Sequence, residues 1–368
     1  MKKFIFSLLP IFMVAALCMC LTSCGGGDDD GDLTSGGPQA QQNGNDNNGQ
    51  NNGENGGANN LQIPKHIMNP LTLEAIGNGV ITYQNRGFYD AYYMIDNGEA
   101  HIISPDTNAE IPVSAGQKVT LWGNNVTCYN PVTHLCSNIN CTAEFYAYGN
   151  VMSLLNGSTE ISREYAFAGL FADATTLRSH PVKYLLLPAT KLSDHCYYGM
   201  FKNCTGLTRV PNLPATTLAS YCYHSMFSGC SKLTTAPELP ATELASWCYT
   251  GMFYNCDALI AAPELPATEL TFACYSSMFY SCDNLIVAPE LPAATLAQSC
   301  YSGMFYECTK LNYVKCLATD MSAENCTGNW LYYVASTGTF VKATGTDWSG
   351  KTSASGIPTG WTVTTASN

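Results

Sequence analysis

The sequence predicts an α/β solenoid of 26-residue coils, each with one short strand and one short helix. Residues 187–314 hold five copies of one unit, in which two sets of residues recur every 26 positions. These sets are a leucine column and a Met-Phe pair: Leu187, Leu213, Leu239, Leu265 and Leu291, with Met200-Phe201, Met226-Phe227, Met252-Phe253, Met278-Phe279 and Met304-Phe305. A period of roughly 20–29 residues with leucines at fixed offsets is typical of a leucine-rich-repeat solenoid, whose units bury their apolar faces only against each other.

Within one unit, apolar spacing predicts the helix and a threonine-rich run predicts the strand. Leu218, Cys222 and Met226 lie four residues apart, as on one face of a helix. Residues 233–236 are short and Thr-rich, and Pro237 ends them because proline cannot donate to a strand ladder. The solenoid is predicted to span residues 158–335.

One unit reads Met226-Phe227, then Cys230, then Leu233. This order resembles the repeat of the BspA-type leucine-rich-repeat family, and the resemblance covers roughly residues 162–335. The chain departs from the short BspA unit by about one extra helical turn, with an additional Cys-Tyr pair. The resemblance implies a cell-surface binding or adhesion role and supplies no catalytic motif.

Two β regions are predicted to flank the repeats. Residues 65–157 have short alternating runs separated by hairpin turns such as Asn78-Gly79 and Asn97-Gly98, which predicts a small antiparallel, β-sandwich-like domain. Residues 336–368 are predicted to form a C-terminal β cap, because an open end of a repeat stack can polymerise edge to edge.

The first 23 residues are predicted to be a lipoprotein signal peptide. Lys2 and Lys3 precede an apolar run over residues 4–21, and Leu21-Thr22-Ser23-Cys24 has the form of a lipobox. A transmembrane helix is the alternative, but Pro10 interrupts the run and glycine and aspartate follow it. Cys24 is therefore the predicted lipidated residue.

Residues 24–64 are predicted to be a polar tether, since Gly, Asn, Asp and Gln dominate them. Residues 25–32 read GGGDDDGD and resemble the acidic export signal of surface-exposed lipoproteins. A solvated spacer on a periplasm-facing lipoprotein is the alternative. The predicted location is the outer membrane, with a lipid anchor and the chain facing the cell exterior.

Fifteen of the 18 cysteines remain after two leave with the signal peptide and Cys24 is lipidated. Five pairs lie eight residues apart, from Cys196/Cys204 to Cys300/Cys308. A bridge within such a pair would span about 12 Å of helix, beyond the roughly 7 Å limit between Cα atoms. Two interpretations stay open: bridges from one coil to the next, such as Cys308 with Cys326, and columns of buried thiols.

A separate cluster, Cys128, His134, Cys136 and Cys141, has the residue types of a zinc site. A disulfide is the favoured interpretation, most simply between Cys128 and Cys136, because an exported chain more often joins such cysteines. No metal and no cofactor is predicted. His195 and His224 stand singly in variable columns and are expected to lie at the surface.

No nucleophile-base pair, phosphate loop or paired-carboxylate motif stands in the sequence, so no enzymatic activity is predicted. With 16 basic against 28 acidic residues, nucleic acid is not an expected partner. Two functions remain: a surface protein whose repeats bind a host or bacterial protein, and a surface lipoprotein that binds glycans for nutrient capture. Aromatic side chains serve both.

Binding residues are predicted where repeat columns vary, because invariant columns are expected to pack between neighbours. The predicted residues are Tyr254, Tyr280 and Tyr306 after the Met-Phe pair, Tyr221 and Trp247 before the cysteine, and Arg209 and Tyr313 on the strand side. The three tyrosines are expected to stack as one ridge. The alternative is that all these side chains are solvated and meet no ligand.

Overall fold

The computed structural model describes residues 61–351 and 354–367. The predicted signal peptide, Cys24 and the tether up to residue 60 lie outside this part of the chain. The residues from Leu61 onward cluster as one compact unit. No helix within the described ranges is long and apolar enough to cross a membrane.

Strands dominate the N-terminal part of this unit. They are β1 (Leu71–Ala75), β2 (Gly79–Asn85), β3 (Ala91–Ile95), β4 (Ala100–Ile103), β5 (Thr107–Val113), β6 (Lys118–Gly123), β7 (Tyr129–Asn130), β8 (Leu135–Cys136), β9 (Asn138–Cys141) and β10 (Phe145–Asn150). A short 3-10 helix, Val151–Leu154, follows. The rest of the chain adds β11 (Leu177–Arg178), β12 (Leu185–Leu186), β13 (Tyr313–Cys316), β14 (Thr339–Lys342) and β15 (Thr362–Thr365).

Two sheets share one core in the N-terminal part. The larger sheet has the order β11-β10-β1-β6-β3-β4, with β12 also paired to β10, and the smaller has the order β5-β2-β9. Leu71 and Leu73 of β1 and Ile81 and Tyr83 of β2 lie in the same buried cluster. Because β11 and β12 pair in parallel with β10, the repeat region begins at this edge of the larger sheet.

The prediction of an α/β leucine-rich-repeat solenoid with a short helix in each coil is wrong. Apart from the 3-10 helix, the described residues contain no helix, and each predicted helix is a run of overlapping turns. Over residues 195–204, even-numbered N–H groups donate three residues back, as Met200 does to the Tyr197 carbonyl at 3.2 Å. Odd-numbered N–H groups donate to the next coil, as Phe201 does to the Met226 carbonyl at 2.9 Å. An α-helix keeps these bonds within its own segment.

Every fourth residue of these turns has a positive φ. In one coil these residues are Tyr221, Ser225 and Gly229, at 55°, 52° and 74°. A positive φ suits the second central residue of a type II turn and is incompatible with a right-handed helix. The two residues after each position point inward, so that Cys222-Tyr223 and Met226-Phe227 are buried. A four-residue turn repeat therefore produces the apolar spacing from which a helix was predicted.

The predicted strand of each coil is also largely missing. Between β12 and β13, the strand sides of neighbouring coils meet through isolated bridges, such as Thr235 with Ala261. Prolines at 211, 237, 263 and 289 remove donors that a continuous ladder would need. Within the described ranges, parallel strands along successive coils form at the C-terminal end, where β13, β14 and β15 pair.

Stacked aromatic rings fill the inside of the coils. One column holds tyrosines and another phenylalanines: Tyr197, Tyr223, Tyr249, Tyr275 and Tyr301, and Phe171, Phe201, Phe227, Phe253, Phe279 and Phe305. Ring centroids of successive coils lie 5.5–6.1 Å apart. Each such pair stabilises the fold by about 0.5–1.5 kcal/mol beyond burial. The columns join neighbouring coils at every step.

The cysteines of the repeat region are buried thiols, so neither bridging scheme is present there. The second cysteine of a unit bonds to the preceding coil: the Cys230 thiol donates to the Phe201 carbonyl and the Cys256 thiol to the Phe227 carbonyl, each at 3.2 Å. Burial raises the pKa of Cys230 to about 12. These thiols act as small apolar side chains with one weak donor.

Gly251→Ala tests the turn geometry. Gly251 has a φ of 58°, and a Cβ there would lie 3.3 Å from the Ser225 Oγ. Because a left-handed conformation costs an L-residue roughly 1–2 kcal/mol, we expect the free energy of unfolding, measured by urea denaturation, to fall by about that amount. Gly350→Ala is the control, since its Cβ would meet nothing within 4 Å and its φ lies outside that region. Equal stability of the two variants would contradict the turn geometry.

Alkaline pH tests the buried thiols. Burial raises the pKa of Cys230 and of Cys308 to about 12, whereas an unfolded cysteine titrates near ~8.5. Below the unfolded pKa the thiols are protonated in both states, and their contribution to the free energy of unfolding is complete. As pH rises towards the folded pKa, only the unfolded thiols ionise, so this contribution is lost by about 1.4 kcal/mol per pH unit and thiol. Urea denaturation between pH 7 and pH 9.5 should show this fall. Cys230→Ala, which copies Ala174 of the first coil, should reduce the slope, and a flat profile would contradict buried, protonated thiols.

Candidate functional site

A row of rings crosses the outer surface of the first five coils. This first aromatic ridge consists of Tyr129, Tyr165, His195, Tyr221, Trp247 and Phe272. Successive ring centroids lie 4.3–5.7 Å apart. From Tyr165 to Trp247 the rings are stacked within 14° of parallel, and Phe272 ends the row edge-on at 76° to Trp247. Tyr129 lies in β7, which pairs with β8, so the ridge joins this pair of strands to the repeats in one surface.

Four rings of this ridge stand on backbone positions that disfavour them. Their φ values lie between 54° and 61°: Tyr165, His195, Tyr221 and Trp247. A positive φ is uncommon for any residue but glycine and is an outlier for a bulky side chain. Later coils place small or polar residues at the same position: Ala273, Ser299 and Asn325. Folding of a coil therefore does not require a ring there, which makes the four rings candidates for contact with a ligand.

A second row of rings crosses the later coils. This second aromatic ridge consists of Tyr254, Tyr280, Tyr306, Tyr332 and Tyr333. Tyr280 stacks on both Tyr254 and Tyr306 at 4.6 Å. Burial, with Glu307 nearby, raises the pKa of the Tyr280 hydroxyl, which therefore stays a neutral hydrogen-bonding group. Lys202 and Ser228 hold the same position in earlier coils, so this ring column is also dispensable for folding.

The structure sorts the predicted binding residues into three places. Tyr221 and Trp247 lie together in the first ridge, and Tyr254, Tyr280 and Tyr306 lie together in the second. Arg209 and Tyr313 belong to neither ridge. Arg209 is half-buried beside Tyr184, and Tyr313 is half-buried in β13.

Sequence reasoning missed four of the six residues of the first ridge. Tyr129, Tyr165 and Phe272 were not predicted, and His195 was expected to be a single surface residue. Its ring instead lies between Tyr165 and Tyr221 at 4.3 and 4.6 Å, and burial lowers its pKa. The sequence did contain a signal: in four successive units, an aromatic residue or histidine stands directly before the first cysteine. In the first of these units, Ala166 takes the place of that cysteine. His224 is also not at the surface, since it is buried with a pKa lowered to about 4 by desolvation.

Stacking decides what the ridges offer to a ligand. A ring inside either ridge has both faces against neighbouring rings, as Tyr280 has, and presents only its edge outward. A sugar packs on an open ring face, whereas protein side chains also pack against edges and hydroxyls. Most of this surface therefore suits a protein partner better than a glycan.

The segment with Cys128, His134, Cys136 and Cys141 holds thiols instead of the expected disulfide. Cys128 is a buried thiol whose pKa desolvation raises to about 12, so the Cys128–Cys136 disulfide is wrong. His134 contacts the Tyr129 hydroxyl at 3.0 Å through its Nδ1. No group of three or more His, Cys, Asp or Glu side chains in the described ranges has the geometry of a metal site.

Trp247→Ala and Phe253→Ala distinguish the ridge from the core. Trp247 loses ring contacts only, and Ala273 shows that alanine fits this position, so we expect a loss of about 1–2 kcal/mol in unfolding free energy. Phe253 is fully buried between two rings, so its replacement should cost roughly 3–5 kcal/mol. Urea denaturation of both variants measures the difference. Equal losses would place Trp247 in the core and remove the ridge as a binding surface.

Comparisons with known proteins do not extend this picture. No protein-family model, no curated protein and no solved structure matches the chain. The case for a function therefore rests on the geometry of the chain's own residues.

Proposed function

We propose that this chain is a non-enzymatic, lipid-anchored surface protein that binds another protein through its two aromatic ridges. One observation supports this most directly: four rings of the first ridge occupy positive-φ positions that later coils fill with Ala273, Ser299 and Asn325. The positive φ is common to this position in every coil, and the smaller residues show that a coil folds without a ring there. Contact with a partner accounts for their presence.

A protein partner fits the ridges for a second reason. Tyrosine and tryptophan supply large contact areas with few rotatable bonds and are enriched at the energetic centres of protein interfaces. Here neighbouring rings already hold each side chain in place, so that little conformational entropy remains to be lost on binding. Trp247 and Tyr254 belong to the same coil, which makes the middle of the array the expected centre of the interface.

Glycan capture is the alternative. Its support is confined to the ends of the ridges, where Phe272 and Tyr333 lie edge-on to their neighbours instead of being covered by parallel rings. A glycan-binding protein would depend on these end rings, whereas a protein-binding one would depend on the interior rings. The two functions therefore predict different sensitive residues.

The proposed cell-surface position rests on the lipobox at Cys24 and on the acidic stretch at residues 25–32. The resemblance of the repeat motif to BspA-type proteins agrees with such a location. Cells that carry the chain should adhere to the partner, and surface proteolysis of intact cells should remove the part beyond residue 60. Cys24→Ala should abolish adhesion by cells while the purified chain still binds, since only the anchor is lost.

Binding of the purified full chain to a panel of immobilised matrix proteins and to a glycan array tests the proposed partner class. The test variant carries Tyr221→Ser, Trp247→Ser and Tyr280→Ser. Other coils hold serine at the same positions, as Ser299 and Ser228. We expect protein binding to fall by more than about thirtyfold, because interface centres contribute about 2 kcal/mol or more per residue. Tyr89→Ser is the matched control, as Tyr89 is 55% exposed outside both ridges.

Two results would contradict the proposal. One is protein binding that survives in the folded triple variant. The other is binding only to glycans, with loss on replacing Phe272 and Tyr333 instead of the interior rings. Melting temperatures of all variants separate a lost surface from a lost fold.

A further inference from the structure

The first coil of the repeat region contains an insertion. Leu177 and Leu187 are ten residues apart, whereas the corresponding leucines of the next coil, Leu207 and Leu213, are six apart. The four extra residues lie in the connection between β11 and β12. Since both strands remain paired with β10, the extra chain is accommodated on the strand side of the coil.

This connection forms one wall of a pocket. The pocket has a volume of about 40 Å³ and opens to solvent, and the next coil supplies its opposite wall. Leu177, Leu185, Leu207, Val210 and Pro211 give it an apolar lining. A second hollow shares Tyr184 and Leu185 with it and continues past Leu186 and Pro188. Both hollows border Tyr184 and Leu185, and together they are termed the apolar cleft beside Tyr184.

Positive side chains converge on this pocket, although the chain has a net charge of −12. Its lining includes Arg178, Lys183 and Arg209. Arg178 pairs with Glu144 at 2.7 Å and Lys183 with Glu74 at 3.0 Å, so these two charges are balanced. Arg209 has no carboxylate partner among the described residues.

Neutral groups hold Arg209 in place. Its Nη1 donates to the Tyr184 hydroxyl at 3.0 Å, its Nη2 donates to the His180 carbonyl, and its guanidinium lies over the Tyr184 ring, 4.9 Å from the centroid. Because a guanidinium has about five N–H donors in a fixed plane, donors remain for a further acceptor. The pocket thus contains one oriented, unbalanced positive charge.

His180 adds a neutral donor to the same lining. Its Nδ1 accepts the backbone N–H groups of Val182 and Lys183 at 3.0 and 2.8 Å, which leaves its proton on Nε2. Burial lowers the pKa of this imidazole, and the charges of Lys183 and Arg209 act in the same direction. Neutral His180 can donate one hydrogen bond without adding charge.

We propose that this pocket binds a carboxylate attached to a small aliphatic group, as found at the C-terminus of a peptide that ends in an aliphatic residue. Arg209 pairs with the carboxylate, because its planar fork matches two carboxylate oxygens. The apolar cleft beside Tyr184 takes the aliphatic group. One unbalanced charge matches a monoanion, and a phosphate dianion would leave one negative charge unpaired in an apolar setting. The site lies apart from both ridges and stands independently of their function.

Calorimetric titration of the purified full chain tests the assignment with N-acetyl-leucine, N-acetyl-leucinamide and glucuronate. We expect saturable binding of N-acetyl-leucine with a dissociation constant of about 2 mM, as is ordinary for a ligand of about twelve non-hydrogen atoms. The neutral amide should bind at least about tenfold more weakly, because it cannot form the charged pair. Glucuronate carries the same charge on a polar body and should also bind more weakly.

Three variants separate the charge from the fold. Arg209→Gln should weaken binding of N-acetyl-leucine about tenfold or more, and Arg209→Lys, which keeps the charge but loses the planar fork, should give an intermediate loss. Arg163→Gln removes an exposed arginine that does not line the pocket and should leave binding unchanged. Melting temperatures verify that each variant is folded.

Several results would overturn the proposal: no binding of any carboxylate up to about 10 mM, equal binding of the acid and the amide, or unchanged binding by folded Arg209→Gln. Glucuronate binding as tightly as N-acetyl-leucine would overturn the aliphatic part. Replacement of ridge residues should not affect this titration, so failure of the ridge hypothesis and failure of the pocket hypothesis are distinguishable.

Discussion

The structure depends on how the backbone N–H groups of each coil divide their hydrogen bonds. Alternate N–H groups close turns within the coil, and the others donate to carbonyls of the next coil, as Phe201 does to Met226. A coil alone would leave the second set without protein acceptors, and an unsatisfied buried donor costs about 1–3 kcal/mol. Coils are therefore stable only in a stack. The N-terminal sheets begin the stack, since Ile139 donates to the Leu170 carbonyl of the first coil at 2.7 Å.

This bonding pattern also separates the residues that hold the fold from those that face outward. Each four-residue step sends two side chains inward, into the tyrosine, phenylalanine and cysteine columns, and places a positive-φ residue outside. Inner positions are constrained by ring stacking and by thiol bonds such as that of Cys230 to Phe201. Outer positions are not, as the change from Trp247 to Ser299 and Asn325 in later coils shows. Such an array can change its surface without repacking its core.

The two candidate sites use different sides of the coil. The ridges lie on the turn side, where ring edges are displayed along the array, and the pocket lies on the strand side, where the insertion in the first coil opens a cleft. Arg209 connects the sequence prediction to the second of these sites. It was predicted as a binding residue from a variable strand-side column, but its environment comes from Tyr184 and His180, which belong to the inserted connection.

The sequence by itself determined the unit length, the buried columns and the tyrosine ridge, because a 26-residue period brings equivalent residues into contact in any stacked arrangement. It did not determine the conformation of a unit. Residues such as Cys222, Tyr223, Met226 and Phe227 satisfy the apolar spacing of an α-helix and of a four-residue turn repeat equally well. Glycine, serine and asparagine at every fourth position, as at Gly251 and Asn255, favoured turns, since these residues tolerate positive φ.

Only the tertiary structure decided between the two conformations. The carbonyl acceptors that make the turns stable belong to another coil, 25 residues away along the chain, and no local pattern contains them. The same holds for the first ridge, in which Tyr129 of β7 continues a row of rings from the repeats, and for the pocket around Arg209. Each depends on contacts between segments whose relative positions follow from the hydrogen bonds between coils and from the pairing of β11 and β12 with β10.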